Sequence, residues 1–173
     1  MSYTGPGAAS VQPHAYDPLT QPELFAGVLE RRIMAFLIDL IVIAVPLGVL
    51  AVFIVMFGLV TLGLGFFLFF IYGPICVIWA LLYSGMTLGS PASATLGMRM
   101  MDLEMRTWYG APCYFVLGAV HAVGFWLSVS FLTPFVLLVG LFNARKRLLH
   151  DIVLGTVVIN NPARANAWRG ARA

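Results

Sequence analysis

The sequence contains few charged residues, which make up 10% of its 173 residues and are missing from two long stretches. No Asp, Glu, Lys or Arg occurs between Asp39 and Arg99, and none occurs between Arg106 and Arg145. Hydrophobic residues make up 61% of the chain, well above the roughly 45–50% apolar share of soluble domains. A soluble core of this size could not bury so much apolar surface, so the composition predicts a polytopic membrane protein.

Cysteine is scarce as well, because Cys76 and Cys113 are the two in the chain, and no disulfide framework is expected. The sequence also lacks a phosphate-binding loop, a Gly-rich dinucleotide fingerprint, zinc-ligand spacing and a serine nucleophile elbow. We therefore expect no enzymatic activity, no cofactor and no metal. The net charge of +3 favours anionic lipid headgroups, rather than nucleic acid, as the partner of the basic residues.

Composition divides the chain into three parts. Residues 1–24 are rich in Pro, Gly, Ser and Ala and lack hydrophobic periodicity, which predicts a disordered cytoplasmic tail. Residues 25–160 form the predicted membrane domain, and residues 161–173 form a basic C-terminal tail.

Two apolar runs are long enough to cross a bilayer as helices. The first covers residues 33–57, a helix of about 37 Å against a hydrocarbon core of about 30 Å. Pro46 lies inside this run and predicts a kink. The second covers residues 66–83 and follows a Gly-rich turn at residues 58–65. We therefore predict an all-α integral membrane fold with two long transmembrane helices.

The third apolar region, residues 111–142, has two interpretations. As a single helix it is overlong, and Pro134 interrupts it. A single crossing also places the basic run at residues 145–147 outside, against the positive-inside tendency, whereas a helical hairpin turning near residues 128–134 keeps every Lys and Arg cytoplasmic. We favour the hairpin, with the N-terminus in the cytoplasm.

Two short segments outside the apolar regions have the composition of strands. They cover residues 98–107 and residues 155–159. We expect these strands to pair with each other on the cytoplasmic face.

Arg32 and Asp39 are the most informative polar residues of the first helix. Their spacing of seven places them on one helix face but about 10 Å apart along the axis, so a direct salt bridge is not expected. Arg32 alone favours an interfacial anchor. An acid within a membrane helix costs roughly 2.5–3.5 kcal/mol on insertion scales, so Asp39 needs a partner from elsewhere. A structural hydrogen bond and the binding of a cation or proton are equally compatible with the sequence.

A second polar cluster lies near the C-terminus at Arg147, His150 and Asp151. Arg147 and Asp151 are four residues apart and would pair on a helix. His150 would titrate near neutrality in a wet site, although a basic run beside a membrane is ordinarily a lipid-headgroup anchor. His121 lies inside the third apolar region, where a hydrogen-bonded structural role is favoured over a proton relay.

At these positions the sequence resembles the RDD family of bacterial membrane proteins. The matching segments are RRIMAFLID at residues 31–39, TLGMR at 95–99, RLLHD at 147–151 and GTVV at 155–158. The chain departs from the family at Met98, where lysine is common, and at Asp102, where glycine is usual. The resemblance covers about residues 25–160 and implies a multi-pass protein of the bacterial inner membrane.

The resemblance also implies signature residues and a function. The signature residues are Arg32, Asp39 and Asp151. The implied function is transport of ions or small solutes, and the few helices of one protomer imply a homo-oligomer or a partner membrane protein. The alternative is a non-transporting scaffold or assembly factor. We also expect Arg147 or Arg99 to approach Asp39 and to complete a mixed-charge network at the inner membrane boundary with Arg32, His150 and Asp151.

Overall fold

The computed structural model describes residues 15–132 and 135–171, where the chain is mostly helical and carries one small sheet. Short 3-10 helices at Pro22–Leu24 and Leu64–Leu68 precede the first two long helices. The other elements, in chain order, are α1 (Val28–Val60), α2 (Phe69–Leu88), α3 (Leu96–Met100), β1 (Leu103–Thr107), α4 (Phe115–Leu132), α5 (Phe135–Phe142), α6 (Leu149–Leu154), β2 (Thr156–Asn160) and α7 (Pro162–Gly170).

Helices α1 and α2 are long and apolar enough to cross a membrane. Both carry large apolar side chains that the rest of the protein leaves uncovered, such as Val49 with 66% and Phe70 with 80% of its surface exposed. Lipid is the solvent that such a surface requires. Each helix also contains an internal proline, Pro46 in α1 and Pro74 in α2. The chain is a membrane protein.

The small sheet pairs β1 with β2 in antiparallel register, so that Leu103 lies opposite Asn160 and Thr107 opposite Thr156. The prediction of a strand over residues 98–107 is wrong for its first part, because residues 98–100 belong to α3. Thr95 begins that helix by accepting a hydrogen bond from the Met98 amide at 3.1 Å, a local N-cap that outweighs the strand-like composition.

The core lies at the end of the α1–α2 pair where α1 begins. There, α3 and the sheet pack against the first turns of α1, and the last turn of α2 closes the cluster. The buried side chains of this core include Val28, Ala35, Leu88, Met98, Leu103, Met105 and Val158. The protein therefore has a conventional packed core at one end and an exposed apolar surface along its two long helices.

Both ends of the third apolar region return to this core. Gly118, near the start of α4, packs against Leu88 of α2, and Gly140, near the end of α5, packs against Leu29 of α1. Residues 133 and 134, at the end of the predicted hairpin turn, lie outside the described residues. The region therefore begins and ends beside the same end of α1 and α2.

The prediction of a disordered tail over residues 1–24 is wrong for the part that the structure describes. The Ala15 amide donates to the Trp108 carbonyl at 3.2 Å, and Tyr16 packs beside Phe25. The Asn160 side chain donates to the carbonyls of Glu23 at 2.8 Å and Ala26 at 2.9 Å. Residues 15–24 are thus joined to the end of β2, while residues 1–14 lie outside the described part of the chain.

The basic C-terminal segment also has structure. It contains α7, whose first turn is capped by the Asn161 side chain accepting from the Arg164 amide at 2.9 Å. Near its end, Arg169 pairs with Glu23 at 2.8 Å. The segment therefore lies against the residues that precede α1.

Candidate functional site

Asp39 of α1 is bound by two hydroxyl groups and one backbone amide. Its Oδ1 accepts from the Tyr83 hydroxyl at 2.5 Å and from the Gly97 amide at 2.8 Å, and its Oδ2 accepts from the Thr95 hydroxyl at 2.6 Å. Tyr83 belongs to α2, and the other two donors lie at the N-terminus of α3. Hydrogen bonds to a carboxylate are short and strong. Because the donors lie in α2 and at the start of α3, the Asp39 carboxylate links these two helices to α1.

Gly97 permits this arrangement because α3 lies very close to α1. A Cβ at position 97 would lie 2.9 Å from Asp39 Cγ and would collide with the Ala35 carbonyl oxygen. Glycine is therefore required for close backbone approach rather than for a special dihedral angle. The neighbouring Thr95 both caps α3 and donates a hydrogen bond to Asp39. Thr95 and Gly97 of the TLG segment therefore both have structural roles at Asp39.

The expectation that Arg147 or Arg99 approaches Asp39 is wrong. Arg99 donates to the Ser90 hydroxyl at 2.7 Å, and Arg147 donates to the Thr156 carbonyl at 2.8 Å. Neither makes a hydrogen bond to Asp39. Neutral donors at the start of α3, together with the Tyr83 hydroxyl, satisfy the acid without a basic side chain.

Arg32 instead forms a buried salt bridge with Asp151. Arg32 Nη1 lies 2.5 Å from Asp151 Oδ2, which also accepts from the Leu148 amide at 2.9 Å. The Asp151 side chain is fully buried. Burial by itself would raise the pKa of Asp151, but the charge of Arg32 holds that pKa well below its usual range.

Arg147 contacts Asp151 in a different way from the predicted side-chain pair. It donates to the Asp151 backbone carbonyl at 2.8 Å and to the Thr156 carbonyl at 2.8 Å. Its guanidinium carbon lies 4.1 Å from the centre of the Trp108 ring, a cation–π contact. Arg147 therefore holds the turn from α6 to β2 and leaves the Asp151 carboxylate to Arg32.

Two histidines complete the surroundings of Asp151. His121 Nε2 lies 3.7 Å and His150 Nε2 lies 3.6 Å from Asp151 Oδ1. The two rings stand edge to face with their centres 4.8 Å apart. Burial lowers the pKa of His150 to about 3 despite the opposing charge of Asp151, so His150 is neutral at physiological pH. The expectation that His150 titrates near neutrality applied to a wet site, whereas the structure buries His150.

Sequence reasoning did not place His121 in this cluster. His121 belongs to α4, whereas His150 and Asp151 belong to α6, and no short spacing connects them. A lone histidine in an apolar run gives no indication of which distant segment it meets.

A cavity of about 420 Å³ between α1, α2 and α4 touches both polar groups. Most of its wall is apolar and includes Phe36, Phe125 and Trp126. Its polar lining residues are Arg32, Asp39, Tyr83, Ser84, Thr95, His121 and His150. The cavity is therefore an apolar space whose wall contains parts of the Asp39 site and of the Arg32–Asp151 site.

The family model of the RDD family matches residues 26–155 of this chain. The chain belongs to the RDD family. No curated protein and no solved structure matches it significantly. In this RDD protein the segments that carry the resemblance meet in space, because Asp39 contacts Thr95 and Gly97, and Arg32 contacts Asp151.

The two departures from the family pattern have local explanations. Asp102 has φ +55°, in the left-handed region that favours glycine, which agrees with the glycine usual in RDD proteins there. Met98 is buried in the core beside Ala35, where an apolar side chain fits well.

Proposed function

We propose that this RDD protein takes part in the transport of ions or small solutes across a bacterial inner membrane, without enzymatic activity. The cavity between α1, α2 and α4 is the proposed binding site. The observation that carries the proposal is that this mostly apolar space has two groups of polar residues in its wall. Small-molecule sites usually have this form, with an apolar lining and a few convergent polar groups that fix orientation.

The proposed topology has two crossings, α1 and α2, and a hairpin formed by α4 and α5. It is supported by the packing of Gly118 against α2 and of Gly140 against Leu29, since both ends of the region then lie at one membrane face. Arg145 also donates to the Tyr16 carbonyl at 3.3 Å, which brings the basic run to the N-terminal segment. The positive-inside tendency makes that face cytoplasmic.

The bilayer and its anionic headgroups are the proposed partners of the uncovered helices and of the basic residues. Two crossings and a hairpin are few helices with which to enclose an aqueous path, so we further propose a homo-oligomer or a partner membrane protein.

Asp39 has the proposed role of binding a cation or a proton. Its Oδ1 accepts two hydrogen bonds, whereas its Oδ2 accepts a single one within the described residues, from Thr95. A carboxylate oxygen has two lone pairs, so Oδ2 retains one for a proton or cation. Asp39 also lines the cavity, which gives a solute access to it.

The test uses purified protein reconstituted into proteoliposomes, with flux of protons, monovalent cations and small solutes followed by dyes and radiolabels. Ala122→Phe places a large side chain in the cavity, because Ala122 lines it. Ala44→Phe is the matched control, because Ala44 is exposed and does not line the cavity. Ala122→Phe should reduce flux at least tenfold, Ala44→Phe should not, and Asp39→Asn should abolish cation dependence.

Absence of flux in the natural protein, or equal flux in the two phenylalanine variants, would contradict the proposal. Size-exclusion chromatography of each variant identifies losses that come from misfolding.

A scaffold or assembly role is the second candidate. It is supported by the use of both signature acids to join separate segments, Asp39 with α2 and α3, and Asp151 with α1. In this case Asp39→Asn and Arg32→Ala should lower the amount of protein in the membrane, and the natural protein should show no flux. Normal accumulation of both variants would remove the support for this role.

A further inference from the structure

Three potential metal ligands converge around Asp151 Oδ1. One ligand atom from each of His121, His150 and Asp151 lies within 4.8 Å of the others. The Nε2 atoms of the two histidines are 3.7 and 3.6 Å from Asp151 Oδ1. Zinc binds histidine nitrogen and carboxylate oxygen at about 2.0–2.2 Å, which places tetrahedral ligand atoms about 3.4 Å apart. The observed separations from Oδ1 need little adjustment to meet that value.

Ser128 determines which nitrogen of His150 carries the proton. The Ser128 hydroxyl donates to the Gly124 carbonyl at 2.6 Å, so its oxygen accepts from His150 Nδ1 at 3.0 Å. A neutral imidazole with its proton on Nδ1 has a lone pair on Nε2. A hydrogen bond of this kind on the other ring nitrogen is how proteins orient a metal-binding histidine.

The Nε2 lone pair of His150 accepts no hydrogen bond from the described residues. Within the described residues, His150 Nε2 is buried without a hydrogen-bond donor, and Asp151 Oδ1, itself an acceptor, lies 3.6 Å away. Two buried acceptors at this distance repel each other, and a cation between them would satisfy both.

The two oxygens of Asp151 have different surroundings. Oδ2 accepts from Arg32 and from the Leu148 amide, whereas Oδ1 accepts, within the described residues, one long hydrogen bond, from the Thr156 hydroxyl at 3.5 Å. Arg32 therefore binds the oxygen that does not face the histidines, and Oδ1 remains free to act as a ligand.

We propose that His121, His150 and Asp151 bind one divalent transition-metal ion of the zinc class, with a coordination position left for water or solute. Imidazole nitrogen suits zinc, cobalt and nickel, whereas magnesium and calcium prefer all-oxygen sites. His121 and His150 line the cavity, which supplies the route to the site. The site rests on these three side chains and does not depend on transport.

The test measures metal binding to full-length protein in detergent after removal of bound metal with a chelator. Zinc titration against a chromophoric competitor gives affinity and stoichiometry, and cobalt absorbance indicates tetrahedral nitrogen and oxygen coordination. We expect one ion per protomer, at least a tenfold weaker affinity in His121→Gln and His150→Gln, and no competition from magnesium. Ser128→Ala, which frees the His150 ring, should weaken binding about 10–100-fold.

His14→Gln is the matched control, because it removes the remaining histidine of the chain. It should bind zinc like the natural protein. The proposal is overturned if the natural protein gives no tetrahedral cobalt spectrum, or if both histidine variants of the cluster bind with unchanged affinity. The cobalt spectrum of the natural protein is decisive even if a variant fails to fold, and the assay is independent of flux.

Discussion

Arg32 and Asp151 are 119 positions apart in the sequence, yet Arg32 Nη1 lies 2.5 Å from Asp151 Oδ2. Asp39, two turns further along the same helix, finds its partners in Tyr83 and in the start of α3. Asp39 and Asp151 therefore have separate structural roles. Asp39 joins α1 to α2 and α3, whereas Asp151 joins α1 to α6.

Loss of Arg32 should destabilise the protein strongly. Arg32→Ala leaves the fully buried Asp151 carboxylate without its cation, and breaking a buried pair costs about 3–5 kcal/mol. Thermal unfolding in detergent measures the effect. Arg169→Ala is the control, because Arg169 is 58% exposed in its pair with Glu23 and such pairs contribute about 0–1 kcal/mol. Equal losses of stability in the two variants would show that the Arg32–Asp151 pair contributes no more than the exposed Arg169–Glu23 pair.

The Tyr83 hydroxyl should contribute more than an ordinary tyrosine hydroxyl. Tyr83→Phe removes a hydrogen bond to the charged Asp39, worth about 1.5–3 kcal/mol. Tyr72→Phe is the matched control, since its hydroxyl donates to the neutral Leu47 carbonyl at 3.0 Å and should cost about 0.5–1.5 kcal/mol. Unfolding temperatures of both variants decide the comparison, and a larger loss in Tyr72→Phe would contradict the greater contribution of the Tyr83 hydroxyl.

Gly97 should not tolerate even a methyl group. In Gly97→Ala the new Cβ would collide with the Ala35 carbonyl, so α3 must shift and its hydrogen bonds to Asp39 must lengthen. We expect lower accumulation in the membrane and a lower unfolding temperature. Gly48→Ala, with open space around its Cβ in α1, should be neutral or stabilising by up to about 1 kcal/mol. Normal behaviour of Gly97→Ala would refute the close contact of α3 with α1.

Asp102 should be replaceable by glycine but not by a β-branched residue. Its φ of +55° is strained for most side chains, by roughly 1–2 kcal/mol. Asp102→Gly should therefore unfold at an equal or higher temperature than the natural protein, whereas Asp102→Val should unfold at a lower one. Because both changes remove the same charge, a similar loss in the two variants would assign the role of Asp102 to its carboxylate instead.

The sequence predicted the two long helices but placed their ends inexactly. Hydropathy begins the first helix at residue 33, whereas α1 begins at Val28 and includes the charged Arg31 and Arg32. Hydropathy marks where lipid contact begins. The helix extends further because Asp151 and the Met101 carbonyl supply partners for those two arginines, and such tertiary contacts are invisible in a local window.

The partner of Asp39 escaped prediction for a related reason. An unpaired acid suggests a basic partner, and charges are easy to count in a chain with so few of them. The actual donors are Tyr83, Thr95 and the Gly97 amide, residue types that are common in any helix end or loop. Their role depends on the close packing of α3 against α1, which composition does not encode.

The hydrogen bonds of Asn160 to Glu23 and Ala26 have a consequence for biosynthesis. The carbonyls just ahead of α1 are among the first parts of the domain to leave the ribosome, and the amide that binds them belongs to the last strand. Until residue 160 has been translated, the Glu23 and Ala26 carbonyls lack the Asn160 amide as their hydrogen-bond donor. The domain therefore closes after translation of its final strand, even though α1 is the first helix available for insertion.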